Sequence, residues 1–150
     1  MKKTVIILCL MIVFVHFPSY AKTNNNPPEK STEELYSDIF VSLLMPHIEK
    51  EIHEFYSNSL TEQPMIYPYM IDIVKIKRIG EYRSFDFLLS LRLHPVIGPH
   101  ITVGEDVIVF RVKGGGNVEL KEYKHIKDHK LPNHWKHILK ENRKEFNTSP

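Results

Sequence analysis

The stretch from Phe85 to His94, FDFLLSLRLH, alternates apolar and polar side chains with a period of two. Phe85, Phe87, Leu89, Leu91 and Leu93 fall on one side; Asp86, Ser90, Arg92 and His94 fall on the other, with Leu88 the exception. Successive side chains of a strand point to opposite faces, so this segment predicts a strand with one dry face and one wet face. Half-buried strands of that kind belong to antiparallel sheets, because parallel strands are covered on both faces and read as continuous apolar runs. The rest of the chain must therefore supply partner strands and something apolar to cover the dry side.

Three further segments carry the strand period. MIDIVKIKRI, from Met70 to Ile79, slips its apolar phase between Ile73 and Val74, which predicts a bulge or a two-sided strand. Gly80 and Glu81 supply a turn into the alternating segment. DVIVFRVK, from Asp106 to Lys113, places Ile108, Phe110 and Val112 inward. GGGN, from Gly114 to Asn117, is a hairpin turn, and VELKEYKHI beyond it is charged enough to be an edge strand.

The cover is a long helix. Ser31 followed by Glu34 forms a capping box at its start. Before Pro46, Leu35, Tyr36, Ile39, Phe40 and Leu43 cluster on one side at helical spacing; after it, Ile48, Ile52, Phe55 and Tyr56 cluster on another. Proline removes a backbone donor and crowds the preceding turn. The expectation is a helix kinked near Pro46, or two helices, whose apolar stripe moves by more than a third of a turn. PNHWKHILKENRKEF closes the chain as a short helix with Pro132 in its first turn and Trp135, Ile138 and Leu139 as its apolar face. The fold class is α+β: a long N-terminal helix packed on a four-stranded antiparallel sheet, a short C-terminal helix, and a cystatin-like shape by analogy of fold.

The N-terminus predicts export. Lys2 and Lys3 precede an apolar run from Val5 to Val15, and Ser19 and Ala21 occupy the small-residue positions of a cleavage site. The run is shorter than the roughly 20 residues of a spanning helix. The organisation is then signal peptide 1–21, flexible leader 22–30, one α+β domain 31–140 and a polar tail 141–150. Cleavage after Ala21 also removes Cys9, the one cysteine, so disulfides, thiolate metal sites and a cysteine nucleophile are excluded from the mature chain. It removes two lysines and no acids, which leaves basic and acidic residues equal and no concentrated basic surface for nucleic acid.

Histidines are the chemistry on offer. His94 and His100 flank HPVIGPH, where Pro95, Pro99 and Gly98 stiffen or sharply turn the backbone. Imidazole suits zinc or copper, yet a zinc site needs three or four protein ligands. The simpler reading is an ordered crossover loop between two strands. His134 and His137, three apart in the last helix, form a local cluster with His125 and His129, either a collector of zinc or copper or a solvated surface. His47, Glu51 and Glu54 share spacing on the long helix, most simply an exposed face with local ion pairs. No phosphate-binding loop, nucleophile elbow or paired carboxylate set is present.

EELYSDIFVSLLMPHI, then YRSFDFLLSLRLHPVIGPHITVGEDVIVFRV, then HIKDHKLPNHW resemble the small exported proteins of spore-forming Gram-positive bacteria catalogued as domain of unknown function 3888. The resemblance runs from about Glu34 to Ile138 and is most specific at Gly-Pro-His, Val-Gly-Glu-Asp and Leu-Pro-x-His-Trp. It implies a signal peptide followed by one domain, and it brings no activity, substrate or catalytic residue.

The leading expectation is a secreted, non-catalytic binding module for an envelope or extracellular protein, or a wall polymer. Its contacts are Arg83, Arg92, His94 and His100, with Tyr67 and Tyr69 adding area. The alternative is a metal-binding domain using His94, His100, His134 and His137 with zinc or copper. A third reading, a small hydrolase, requires His94 or His100 to meet a carboxylate such as Asp86.

Overall fold

The computed structural model describes residues 27–141. The expected signal peptide 1–21, the leader before Pro27 and the tail after Glu141 lie outside the described residues. Helix α1 spans Thr32–Tyr56, and no helix among the described residues is long and apolar enough to cross a membrane. A 3-10 turn, Pro68–Met70, leads into β1 (Ile71–Arg78); β2 (Asp86–Leu93), β5 (Gly104–Lys113) and β6 (Asn117–Asp128) complete an antiparallel sheet in the order β1-β2-β5-β6. A small hairpin of β3 (Val96–Ile97) and β4 (Ile101–Thr102) fills the connection between β2 and β5. Near the end of the described residues lies a 3-10 helix, Asn133–Ile138.

The alternation of β2 does what its period requires. Leu89, Leu91 and Leu93 are fully buried and face Phe110, Ile108 and Asp106 across the β2/β5 ladder. Against them lies one row of helix residues, Val41, Leu44, Ile48, Ile52 and Tyr56. That row is spaced by three and four along the whole helix and runs straight through Pro46. The expected break into two helices does not occur. Pro46 and Ser42 are both exposed, so water reaches the backbone carbonyl that the proline deprives of its donor.

The expected stripe of the helix's first half is corrected here. Leu35, Tyr36, Ile39 and Leu43 are 59, 68, 59 and 72 % exposed, and only Phe40 packs against the core. The periodicity was present on more than one side of this half, and the sheet takes the side carrying Val41 and Leu44. The capping box is half formed. The Ser31 hydroxyl accepts from the Glu34 N–H at 3.0 Å, whereas the Glu34 carboxylate takes the N–H of Lys30 at 2.5 Å.

The slip in β1 is a bulge: Ile73 pairs with Leu91 and Lys75 with Ser90, leaving Val74 as the extra residue. β6 is an edge strand, as its charge predicts. The first part of the expected C-terminal helix is 3-10 and ends at Ile138, because the chain then extends so that Leu139 bridges Leu60 and Thr61 N–H donates to the Ile138 carbonyl at 2.8 Å; its part after Glu141 lies outside the described residues.

Candidate functional site

The HPVIGPH stretch is a hairpin rather than an open crossover loop. Val96 and Ile97 pair with Thr102 and Ile101, and Met65 bridges Val96, which anchors the preceding loop to it. His100 sits in the turn with φ +63°, a left-handed conformation costly for a side-chain-bearing residue. Its ring stacks on Tyr67 at 4.8 Å, Tyr67 stacks on Tyr69 at 5.4 Å, and the Tyr69 hydroxyl lies 3.3 Å from His100 Nδ1. Tyr67, Tyr69 and His100 are thus brought together as a ring stack on the surface, with Tyr69 71 % exposed.

Trp135 supports the same hairpin from below. Its indole packs on Gly98, where φ is +45° and a Cβ would collide with the edge of the ring. Gly98→Ala is therefore expected to push Trp135 off the hairpin and lower the melting temperature by about 4–8 °C, the shift of roughly 1 kcal/mol in a domain of this size. A thermal melt followed by tryptophan fluorescence reads both effects.

The other expected contacts are dispersed. His94 N–H donates to the Met70 carbonyl at 3.3 Å, next to Tyr69 in sequence. Arg92 lies on the outer sheet face with Nε 3.2 Å from Glu105 Oε1. Arg83 sits in the turn before β2 with φ +63°, at the end of the strand opposite His94, about 26 Å away for eight residues of strand. Asp86 is at that end too, held by Arg111 at 2.6 Å, whose guanidinium keeps its carboxyl below the ordinary range. Asp86, the carboxylate named for the hydrolase reading, is thus paired with Arg111 rather than with His94 or His100.

No group of three histidine, cysteine or acidic side chains is placed to hold a metal ion among the described residues. His137 Nδ1 is committed to the His134 carbonyl at 2.9 Å, and each of the two rings lies near Trp135, at 6.2 Å for His134 and 6.1 Å for His137. His47 and Glu51 do not sit on an exposed face: His47 packs edge-on against Phe110, and Glu51 is buried with Lys50 at 2.9 Å.

The most chemically distinctive cluster was not among the expected sites. Asp106 is fully buried, accepting from the Tyr56 hydroxyl at 2.8 Å and lying 2.7 Å from His125 Nδ1. His125 Nε2 is 3.2 Å from Asp128. Phe55 stacks on both Tyr123 and His125, at 4.7 and 5.1 Å. Gly104 makes the space: a Cβ there would stand 2.5 Å from the Tyr56 hydroxyl, 2.8 Å from the Lys127 carbonyl and 2.9 Å from His125. Burial pushes the Asp106 carboxyl up, while hydrogen bonds from His125 and Tyr56 pull it down. Burial and the nearby Asp106 charge push the Tyr123 phenol up. With one His125 nitrogen bonded to Asp106 and the other buried beside Asp128, this cluster ties the end of α1 to β5 and β6.

A groove of about 500 Å³ opens between the first half of α1 and β1, walled by Tyr36 and Phe40 on one side and Ile73 and Ile76 on the other.

Residues 36–127 match the family described as "Protein of unknown function (DUF3888)". No curated protein and no solved structure matches the chain.

Proposed function

The chain belongs to the DUF3888 family, and because that description names no activity, we propose a function from the geometry: a non-catalytic binding module whose partner is an extracytoplasmic protein. On this reading it is one of the small exported proteins of spore-forming Gram-positive bacteria. Its signal peptide is removed after Ala21, and its helix-on-sheet domain has a cystatin-like shape.

The observation that carries the reading is the stack of Tyr67, Tyr69 and His100 on a hairpin braced by Trp135. Rigid tyrosines bury large area at low entropic cost and are enriched at the centres of interfaces. A strained residue such as His100 persists only where its surroundings hold it in place. His94 borders this surface. Arg92 is engaged by Glu105 and Arg83 lies at the far end of β2, so both are left out of the contact. The reading needs no cofactor.

The test is capture from envelope extract and culture fluid on immobilised chain, beside Tyr67→Ala/Tyr69→Ala. Loss of a captured protein by tenfold or more in the variant supports the platform. Equal capture by both removes it. Retention of purified wall polymer instead of protein changes the partner class, and turnover in an activity screen overturns the non-catalytic reading.

A further inference from the structure

β1 is the outermost strand of the sheet, and among the described residues it has a strand neighbour on one side only. Its register divides the side chains beyond the bulge between two faces. Ile76, opposite Leu89, is on the helix-facing side, while Lys75 and Lys77, opposite Ser90 and Leu88, are on the outer side. Ile76 is nonetheless 56 % exposed, because the helix-facing side here opens into the groove beside Tyr36 and Phe40. Lys75 and Lys77 are exposed, and no acidic side chain pairs with either among the described residues.

An exposed edge next to an apolar groove is the arrangement by which an extended peptide adds a strand: the backbone supplies hydrogen bonds, and pockets for alternate side chains supply specificity. Charge selects the occupant. A second copy pairing antiparallel through this edge would set Lys75 and Lys77 against their own counterparts, and like charges directly opposite are destabilising. The same lysines favour carboxylates. We propose that β1, along Lys75–Arg78, docks an extended segment of a partner protein in which apolar and acidic residues alternate. The apolar side chains enter the groove beside Ile76 and Phe40, and the acidic ones meet Lys75 and Lys77 on the opposite face. This inference uses different residues from the aromatic platform and stands or falls without it.

The probe is a fluorescent alternating valine–glutamate peptide of about eight residues, long enough for one added strand, titrated into the full chain. Its counterpart has lysine for each glutamate. The glutamate peptide is expected to bind, with affinity falling steeply as salt rises. Lys75→Glu/Lys77→Glu is expected to lose it by tenfold or more and to gain the lysine peptide, an exchange of preference that a damaged fold would not produce. Ile76→Asp is expected to weaken the glutamate peptide on the wild-type chain and, added to the charge-reversed variant, the lysine peptide as well. Failure of the glutamate peptide to bind, or binding indifferent to the charge reversal, overturns the proposal. So does a concentration-dependent dimer in sedimentation that Ile76→Asp abolishes, since the groove would then belong to a second copy.

Discussion

Asp106→Ala is expected to be among the most damaging single changes in the domain. The carboxylate is completely buried and satisfies the Tyr56 hydroxyl and His125 Nδ1 at once. Alanine leaves both donors in a dry site, at about 1–3 kcal/mol for each orphaned group, so roughly 2–6 kcal/mol in all. Folded domains hold only about 5–15 kcal/mol in reserve. Urea unfolding of the variant should show a midpoint far below that of the wild type, and an unchanged midpoint would remove Asp106 from the structural account.

Asp106→Asn separates shape from charge. The amide oxygen can accept from His125, whereas the amide nitrogen that replaces the oxygen facing Tyr56 can only donate, so the shape is kept but the Tyr56 hydroxyl proton loses its acceptor. Burial raises the Asp106 carboxyl above its ordinary value of 3.8. A group that holds its proton more tightly when folded stabilises the fold most below its unfolded pKa and loses that contribution as pH rises through its folded value. Asparagine mimics the protonated acid at every pH. The stability of the wild type relative to Asp106→Asn should therefore decline as pH climbs from about 4. Asp86 and Glu119 behave oppositely: Arg111 and Lys121 hold them below their ordinary range, so their contribution is lost as pH falls. Those two are common to both proteins and cancel in the difference.

Why this network was harder to read than the sheet around it has a physical answer. The β2 alternation, the phase slip that became the Val74 bulge, the GGGN turn and the charged edge strand are all local signals, and local geometry suffices to interpret them. Asp106 was within reach. The phase that turns Ile108 and Phe110 inward, extended two residues back, turns Asp106 inward as well. Carboxylates are rarely buried without a partner, and the partners come from distant places. Tyr56 is fifty residues away. In β6 two register shifts, opposite Glu105/Asp106 and Val109/Phe110, reset the parity of the strand. Val118 faces inward, and after the first shift so do Tyr123 and His125. No period-two reading of VELKEYKHI recovers that. The first half of α1 failed for a different reason. It is apolar on more than one side, and only the position of the sheet decides which side is core.

Gly104→Ala should reach the same network by crowding instead of deletion. Among its contacts, the added Cβ meets the Lys127 carbonyl at 2.8 Å, and a backbone atom inside a paired strand cannot swing away as a side-chain tip can. The cost is expected near the upper end of core overpacking, about 3 kcal/mol. The Tyr56 hydroxyl, 2.5 Å from that Cβ, must also retreat from Asp106. Tyr56→Phe alone removes one hydrogen bond to the buried carboxylate and is destabilising by about 1–3 kcal/mol. Combined with Gly104→Ala, it removes the hydroxyl that the methyl group strikes. The double variant should then be more stable than the sum of the two losses by roughly 1 kcal/mol, a coupling within the range for residues in contact. Chemical denaturation of the four proteins in this cycle measures it. Strict additivity would mean that the methyl group is accommodated by the strand and that Gly104 does not make the space in which Tyr56, Asp106 and His125 meet.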